Sequence, residues 1–140
     1  MHKHIYGKYE LFADEIAKTV SDGISSGNPT PEIDNRLKID YVLVTEAYSL
    51  TEENLLKTGK ISKKLAKSMA QRNASTEGTY LHIAKNDKVM AVAVLKPRID
   101  VENRFHLAQA GSKIRFYVRR EIKKDKLGKR FEEFVIYAVE

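Results

Sequence analysis

The sequence predicts an α+β fold, and three observations carry that prediction. Between Tyr9 and Ile24 the apolar residues Tyr9, Phe12, Ala13, Ile16, Ala17, Val20 and Ile24 recur at helical spacing, with Asp14, Glu15, Lys18 and Asp22 opposite them. Thr79–Ala84 and Lys88–Leu95 flank Asn86-Asp87, residues that tolerate the positive φ of a two-residue hairpin turn. Lys113–Ile122 and Arg130–Val139 form a second strand pair around a lysine-rich loop. The simplest architecture is an antiparallel-rich sheet of about five strands (38–48, 79–84, 88–96, 113–122, 130–139) with helices packed mainly on one face.

The elements follow in order. The helix over 9–24 ends in Ser25–Pro31, where Gly27, Pro29 and Pro31 cannot continue it. In strand 38–48, Ile39, Tyr41 and Leu43 point one way and Val42 and Val44 the other, so both faces are apolar and the strand is central. Thr51 is an N-cap for a short helix over 51–58 that stops at Gly59. Ser62 caps a second helix, 62–73, with Leu65, Ala66, Met69 and Ala70 inward and Lys63, Lys64, Lys67, Gln71 and Arg72 on its remaining surface.

A two-residue turn at Asn86-Asp87 pairs Lys85 with Lys88, Ala84 with Val89, Ile83 with Met90 and His82 with Ala91. Pro97 closes that hairpin. Asp100–Ala110 then has helix-compatible spacing at Val101, Phe105, Leu107 and Ala108, ended by Gly111. With Ile122 opposite Arg130, the last hairpin pairs Val118–Phe134, Phe116–Ile136 and Ile114–Ala138 on a core face. Its other face carries Arg119–Glu133, Tyr117–Val135 and Arg115–Tyr137.

The totals narrow the classes. A chain of 140 residues, 42% hydrophobic and 31% charged, is enough for one domain (1–140) with a real core, which argues against wholesale disorder. The absence of cysteine excludes a disulfide scaffold, a thiolate zinc site and a cysteine nucleophile. Met1–Glu10 contain no apolar leader core, and the longest apolar run, Val89–Leu95, is too short to cross a bilayer. A cytoplasmic protein with no membrane partner is expected. The formal charge of +6 favours polyanionic partners, although excess lysine also serves solubility.

Two basic groups are the candidate sites. The first is Arg115, Tyr117, Arg119 and Tyr137 on one sheet face, beside a loop carrying Lys123, Lys124, Lys126 and Lys129. Aromatics on a sheet stack bases, and lysines neutralise phosphates whatever the sequence. Against this, Arg119–Glu133 and Arg120–Glu132 fall opposite each other in the register above, as ordinary cross-strand stabilisers do. Lysine-rich hairpin tips also simply protect edges. The second group is Lys63, Lys64, Lys67, Gln71 and Arg72. The order helix, strand, two short helices, hairpin is that of a winged helix, with this group facing a major groove and Asn86-Asp87 tipping the wing. The apolar pairs of the 79–95 hairpin argue against a half-exposed wing.

Catalytic signals are weak. His82, among Tyr80, Ala84, Ala91 and Ala93, reads as a buried, satisfied core histidine, and His106 lies in an ambiguous segment. His2 and His4 sit at a terminus where a metal site is not expected. Glu32, Asp34 and Asp40 lack a second carboxylate two residues before Lys96, where Val94 stands, so a magnesium-dependent nuclease pattern is incomplete. Tyr6, Tyr9, Tyr41, Tyr48 and Phe105 have the spacing of core aromatics rather than of a ligand pocket.

The expectation is therefore a non-catalytic accessory protein that binds DNA or RNA through Lys63, Lys64, Lys67, Arg72, Arg115, Tyr117, Lys123, Lys124, Lys126 and Lys129, with no cofactor or metal. One alternative is an inhibitor or adaptor module that turns the same basic surface toward an acidic protein. The other is a winged-helix-like DNA-binding regulator.

Overall fold

In the computed structural model, which describes residues 7–96 and 99–140, the N-terminal stripe folds as α1 (Lys8–Ser26) and buries Phe12, Ala13, Ile16 and Val20. The helix ends at Gly27, whose φ of 76° lets the Asn28 N–H reach back to the Gly23 carbonyl at 2.8 Å. There follow β1 (Glu32–Asp34), β2 (Tyr41–Glu46), α2 (Glu52–Lys57), α3 (Lys63–Gln71), β3 (Thr79–Lys85) and β4 (Lys88–Leu95). The remainder is β5 (Ile99–Val101), β6 (Phe105–Gln109), β7 (Lys113–Lys124) and β8 (Arg130–Val139). Both expected helix caps form: Thr51 accepts from the Asn54 N–H and Ser62 from the Leu65 N–H.

The fold is α+β, but the strands divide into two sheets of four instead of one of about five. One has the order β4-β3-β2-β6 and is antiparallel throughout. The other has the order β1-β7-β8-β5, with β5 running parallel to β8. Helices on one face are also corrected. Val42, Val44, Leu81 and Ile83 join α1 and the β7–β8 residues Ile114, Phe116, Val118 and Ile136 in one apolar cluster. Leu43, Ala84 and Leu107 join Leu55, Leu65, Ala66 and Met69 of α2 and α3 in a second. The β4-β3-β2-β6 sheet is thus covered on both sides.

The 100–110 segment is not a helix. Asn103 and Arg104 take left-handed φ values of 59° and 74°, forming a turn between β5 and β6. Phe105–Gln109 then pairs with β2, Leu107 opposite Leu43. Satisfying the open edge of a central strand outweighs a helical spacing carried by only four apolar residues.

Both hairpins depart from the expected register. Asn86 and Asp87 adopt φ of 54° and 63°, and Lys85–Lys88 and Ala84–Val89 pair as expected. Beyond them a bulge leaves Met90 unpaired, so Ile83 faces Ala91 and His82 faces Val92. The bulge has a packing purpose: Val89 belongs to the α2–α3 cluster whereas Ala91, Ala93 and Leu95 belong to the α1 cluster, although all four are odd-numbered.

The β7–β8 pairing is shifted by two residues: Lys124 faces Arg130 and Val118 faces Ile136. A two-residue shift keeps every side chain on its face, so the expected core residues Phe116, Val118 and Ile136 are buried nonetheless. The opposed Arg119–Glu133 and Arg120–Glu132 pairs are replaced by Arg119–Val135 and Arg120–Phe134. A second bulge, at Tyr137, turns Ala138 opposite Tyr117 and sends Val139 toward the core.

Phe116 is fully buried where the two sheets meet. Phe116→Ala should lower unfolding free energy by about 3–5 kcal/mol in urea titration. The exposed change Leu127→Ala should shift it by less than about 0.5 kcal/mol.

Candidate nucleic-acid interface

The β7–β8 hairpin is longer than the layer that supports it. β1 pairs only with residues 113–115 and β5 only with 134–136. The pairs Glu121–Glu133, Ile122–Glu132, Lys123–Phe131 and Lys124–Arg130 have no third strand beside them. At about 3.4 Å per residue they make an arm roughly 13 Å long before the turn. Residues 122–132 are all exposed.

Asp125 organises the tip. Its Oδ1 accepts from the Leu127 N–H at 2.9 Å and the Lys129 N–H at 2.8 Å. Its own N–H donates to the Lys129 carbonyl at 2.9 Å, and Gly128, at φ 78°, closes the turn. Oδ1 is thereby engaged by two backbone donors, and the aspartate places one negative charge at the tip.

Charge is sorted along the arm. At its base Arg119 meets Glu121 at 2.7 Å and Glu102 at 3.0 Å, and Arg120 meets Glu132 at 3.3 Å. Lys123 lies between Glu121, 3.6 Å away, and Glu133, and neutralises a like-charged cross-strand pair. Its hydrogen bond to Glu133 holds its pKa above the usual lysine value. At the tip, Lys124 faces Arg130 directly, with Lys126 and Lys129 beyond, and none of the four has an ion-pair partner among the described residues. Two opposed cations with nothing between them destabilise a ladder.

On the sheet face expected to stack bases, Arg115, Tyr117 and Arg119 are engaged within the protein, while Tyr137 stays 37% exposed. Arg115 donates to Glu32 Oε2 at 2.9 and 2.6 Å and lies 3.4 Å from Glu140. Those bonds keep Glu32 below the ordinary carboxylate range. The Tyr117 hydroxyl donates to Glu140 at 2.5 Å. Tyr117 and Tyr137 rings pack 6.0 Å apart, with the Arg119 guanidinium 5.5 Å from the Tyr137 centroid. Of the residues singled out from sequence, Arg115, Tyr117 and Lys123 are therefore engaged within the protein, and Lys124, Lys126 and Lys129 come together at the tip.

Lys63, Lys64, Lys67 and Arg72 are exposed on or beside α3, without ion pairs among the described residues. They lie on the α2–α3 side of the β4-β3-β2-β6 sheet, whereas β7–β8 packs on the other side, so the two basic groups form separate surfaces. Sequence reasoning missed Arg130, Ile122, Leu127 and Phe131 as parts of the arm. The available signal was Asp125 three residues before Gly128, a turn pattern shorter than the seven-residue loop 123–129.

The histidines do not build a catalytic site. His82 is wholly buried, as expected, but neither ring nitrogen has a hydrogen-bond partner among the described residues. Burial, assisted by nearby Arg72, lowers its pKa to about 4. His106 points its unpartnered Nε2 away from solvent on β6. Neither histidine lines the cleft of about 500 Å³ beside Tyr48 or that of about 440 Å³ between Pro29 and Arg120.

Glu32 is held by Arg115, and Asp40 accepts from the Asn86 N–H at 2.9 Å. No three of His, Asp and Glu among the described residues are grouped to hold a metal. The Tyr41 hydroxyl donates to the Lys60 carbonyl at 3.1 Å, and that of Tyr48 to the Ser75 carbonyl. His2, His4, Tyr6 and Pro97 lie outside the described residues. No helix among the described residues is long and apolar enough to cross a membrane. Neither protein-family models, nor curated proteins, nor solved structures give a match to this chain.

The buried histidine makes stability pH-dependent. An unfolded histidine binds its proton near pH 6.5 and folded His82 only near 4, so between those values the unfolded chain holds more protons. Stability from this residue is complete above pH 6.5 and lost as pH falls, by about 2 kcal/mol between pH 7.5 and 5. Urea unfolding at both pH values should show His82→Leu losing less stability than the parent chain. Equal losses would mean that folded His82 accepts its proton normally.

Proposed function

We propose that this chain is a non-catalytic nucleic-acid-binding protein whose contact surface is the tip of the β7–β8 arm. The observation that carries the reading is the opposed Lys124–Arg130 pair, which projects from the fold with no anion between its members. One turn of the ladder away, Lys123 neutralises an equivalent pair of glutamates from within the chain. At the tip Asp125 is the one anion among four cations, and an external anion balances the excess. A phosphate is such an anion, and Lys126 and Lys129 extend the same site along a backbone.

An acidic protein surface is the second reading. Ile122 and Phe131 favour it, being 60% and 45% exposed beside those cations. Under either reading, residues 1–140 act as one domain, and the absence of cysteine fits a reducing, cytoplasmic setting. A winged-helix reading is not favoured, because β3 is an inner strand and its hairpin is no peripheral ribbon.

Fluorescence anisotropy with labelled random-sequence DNA, read across a salt series, tests the proposal. Binding should weaken steeply with salt. Replacing Lys124, Lys126, Lys129 and Arg130 with glutamine should reduce the slope of log K against log salt by about 3.6, at about 0.9 per phosphate contact on duplex. The corresponding Lys63, Lys64 and Lys67 substitutions should leave it unchanged. No binding at low salt, or a slope indifferent to the tip substitutions, would overturn the proposal.

A further inference from the structure

We infer that the β7–β8 arm enters a groove of double-stranded DNA tip first, and that Leu127 at its apex packs against the base pairs. This rests on the nucleic-acid reading above and adds the form of the ligand.

Three observations lead to the duplex. The first is what the arm cannot do. Single strands are held by open aromatic platforms, yet Tyr117 and Tyr137 pack on each other beneath Arg119. Glu102, Glu121 and Glu140 stand around them as ion-pair partners. A phosphate chain laid along that face runs beside these carboxylates, and Tyr137 is the one ring of the pair that is exposed.

The second is shape. A two-stranded ribbon is the width that the B-form major groove, about 12 Å across, admits. The A-form major groove of RNA is too narrow and deep for protein side chains to read, and its minor groove is shallow. The arm's free length matches entry from the tip, and its charge order enforces that direction. The acidic residues Glu121, Glu132 and Glu133 stay at the base, while Lys124, Lys126, Lys129 and Arg130 lead, outnumbering Asp125 of the turn four to one. Cations on both strands of the arm then reach the phosphates of both groove walls.

The third is the apex. Leu127 is 93% exposed, the most exposed large apolar side chain of the described residues. A lone surface leucine is ordinary. This one sits between Lys126 and Lys129 at the end of a turn whose shape Asp125 fixes through two backbone N–H groups. Such a turn works equally well with a polar residue there. Once the flanking lysines engage phosphate, the leucine is carried to the major-groove floor, where apolar side chains contact thymine methyl groups.

Binding should be compared for duplex DNA, duplex RNA and single-stranded DNA of one length and one salt concentration. Duplex DNA is expected to bind about tenfold tighter than either other form. Leu127→Ala should weaken duplex DNA binding by about tenfold, the value of one buried leucine side chain. It should leave the salt slope unchanged and have little effect on the other two ligands, and Leu127→Met should restore most of the loss.

Equal affinity for all three nucleic acids, or an unaltered duplex affinity in Leu127→Ala, would overturn the groove inference while leaving the tip lysines as a phosphate site. Absence of binding to every nucleic acid would remove both, and in that case salt-sensitive binding to poly-glutamate would point to the acidic-protein alternative.

Discussion

Strand β2 has no solvent face, and the rest of the molecule is arranged around that constraint. Val42 and Val44 belong to one apolar cluster and Leu43 to another, all at most 1% exposed. A sheet whose inner strand is apolar on both sides needs two covers. The α1 helix and the β1-β7-β8-β5 sheet supply one, and α2 with α3 the other. The bulge at Met90 lets β4 serve both clusters in turn. A poor fit belongs to this sandwich too: His82, opposite Leu43 of β2, is buried with neither ring nitrogen hydrogen-bonded among the described residues. An unpartnered buried polar group costs about 1–3 kcal/mol.

The arm follows from the same geometry. Only the first half of β7 and the last half of β8 are needed to cover the core, and Ile114, Phe116, Val118 and Ile136 complete that cover. The four pairs beyond have nothing beneath them. A chain selected only for stability gains little from such an extension, since exposed ion pairs contribute about 0–1 kcal/mol each. The extension does gain a surface that is free of the core. Its charges are ordered, with neutralised pairs near the body and an excess of cations over Asp125 at the end. The α3 lysines have no such order, and the central sheet separates them from the arm.

Much of this was legible from residue pattern. The α1 stripe, the Thr51 and Ser62 caps, the Asn86-Asp87 turn and the two long hairpins are local features, and local physics encodes them. The division into two sheets is not local. β1 pairs Glu32 with Arg115, far along the chain, and three residues of strand carry no periodicity to read. β5 and β6 are similarly short, and Val101, Phe105 and Leu107 fit helical spacing as well as alternation. Asn103, a residue at ease in the left-handed region, was the available sign of a turn. For the site, alternation identified the faces of β7–β8 but could not distinguish registers two residues apart. That shift moved Lys124 opposite Arg130 and freed Arg119 to bond with Glu102 and Glu121. The Tyr117–Tyr137 contact lies beside a bulge, which leaves no mark in composition.

The central claim is one of place: the anion-seeking surface is the end of the β7–β8 arm. Backbone amide NMR of the isotope-labelled chain, titrated with a short DNA duplex at low salt, reads that place residue by residue. The account predicts that the shifted resonances cluster from Lys123 to Arg130, with Arg115, Tyr117, Tyr137 and the α3 residues Lys63–Gln71 unmoved. Shifts centred on α3 or on the tyrosine face, or none at saturating duplex, would contradict it.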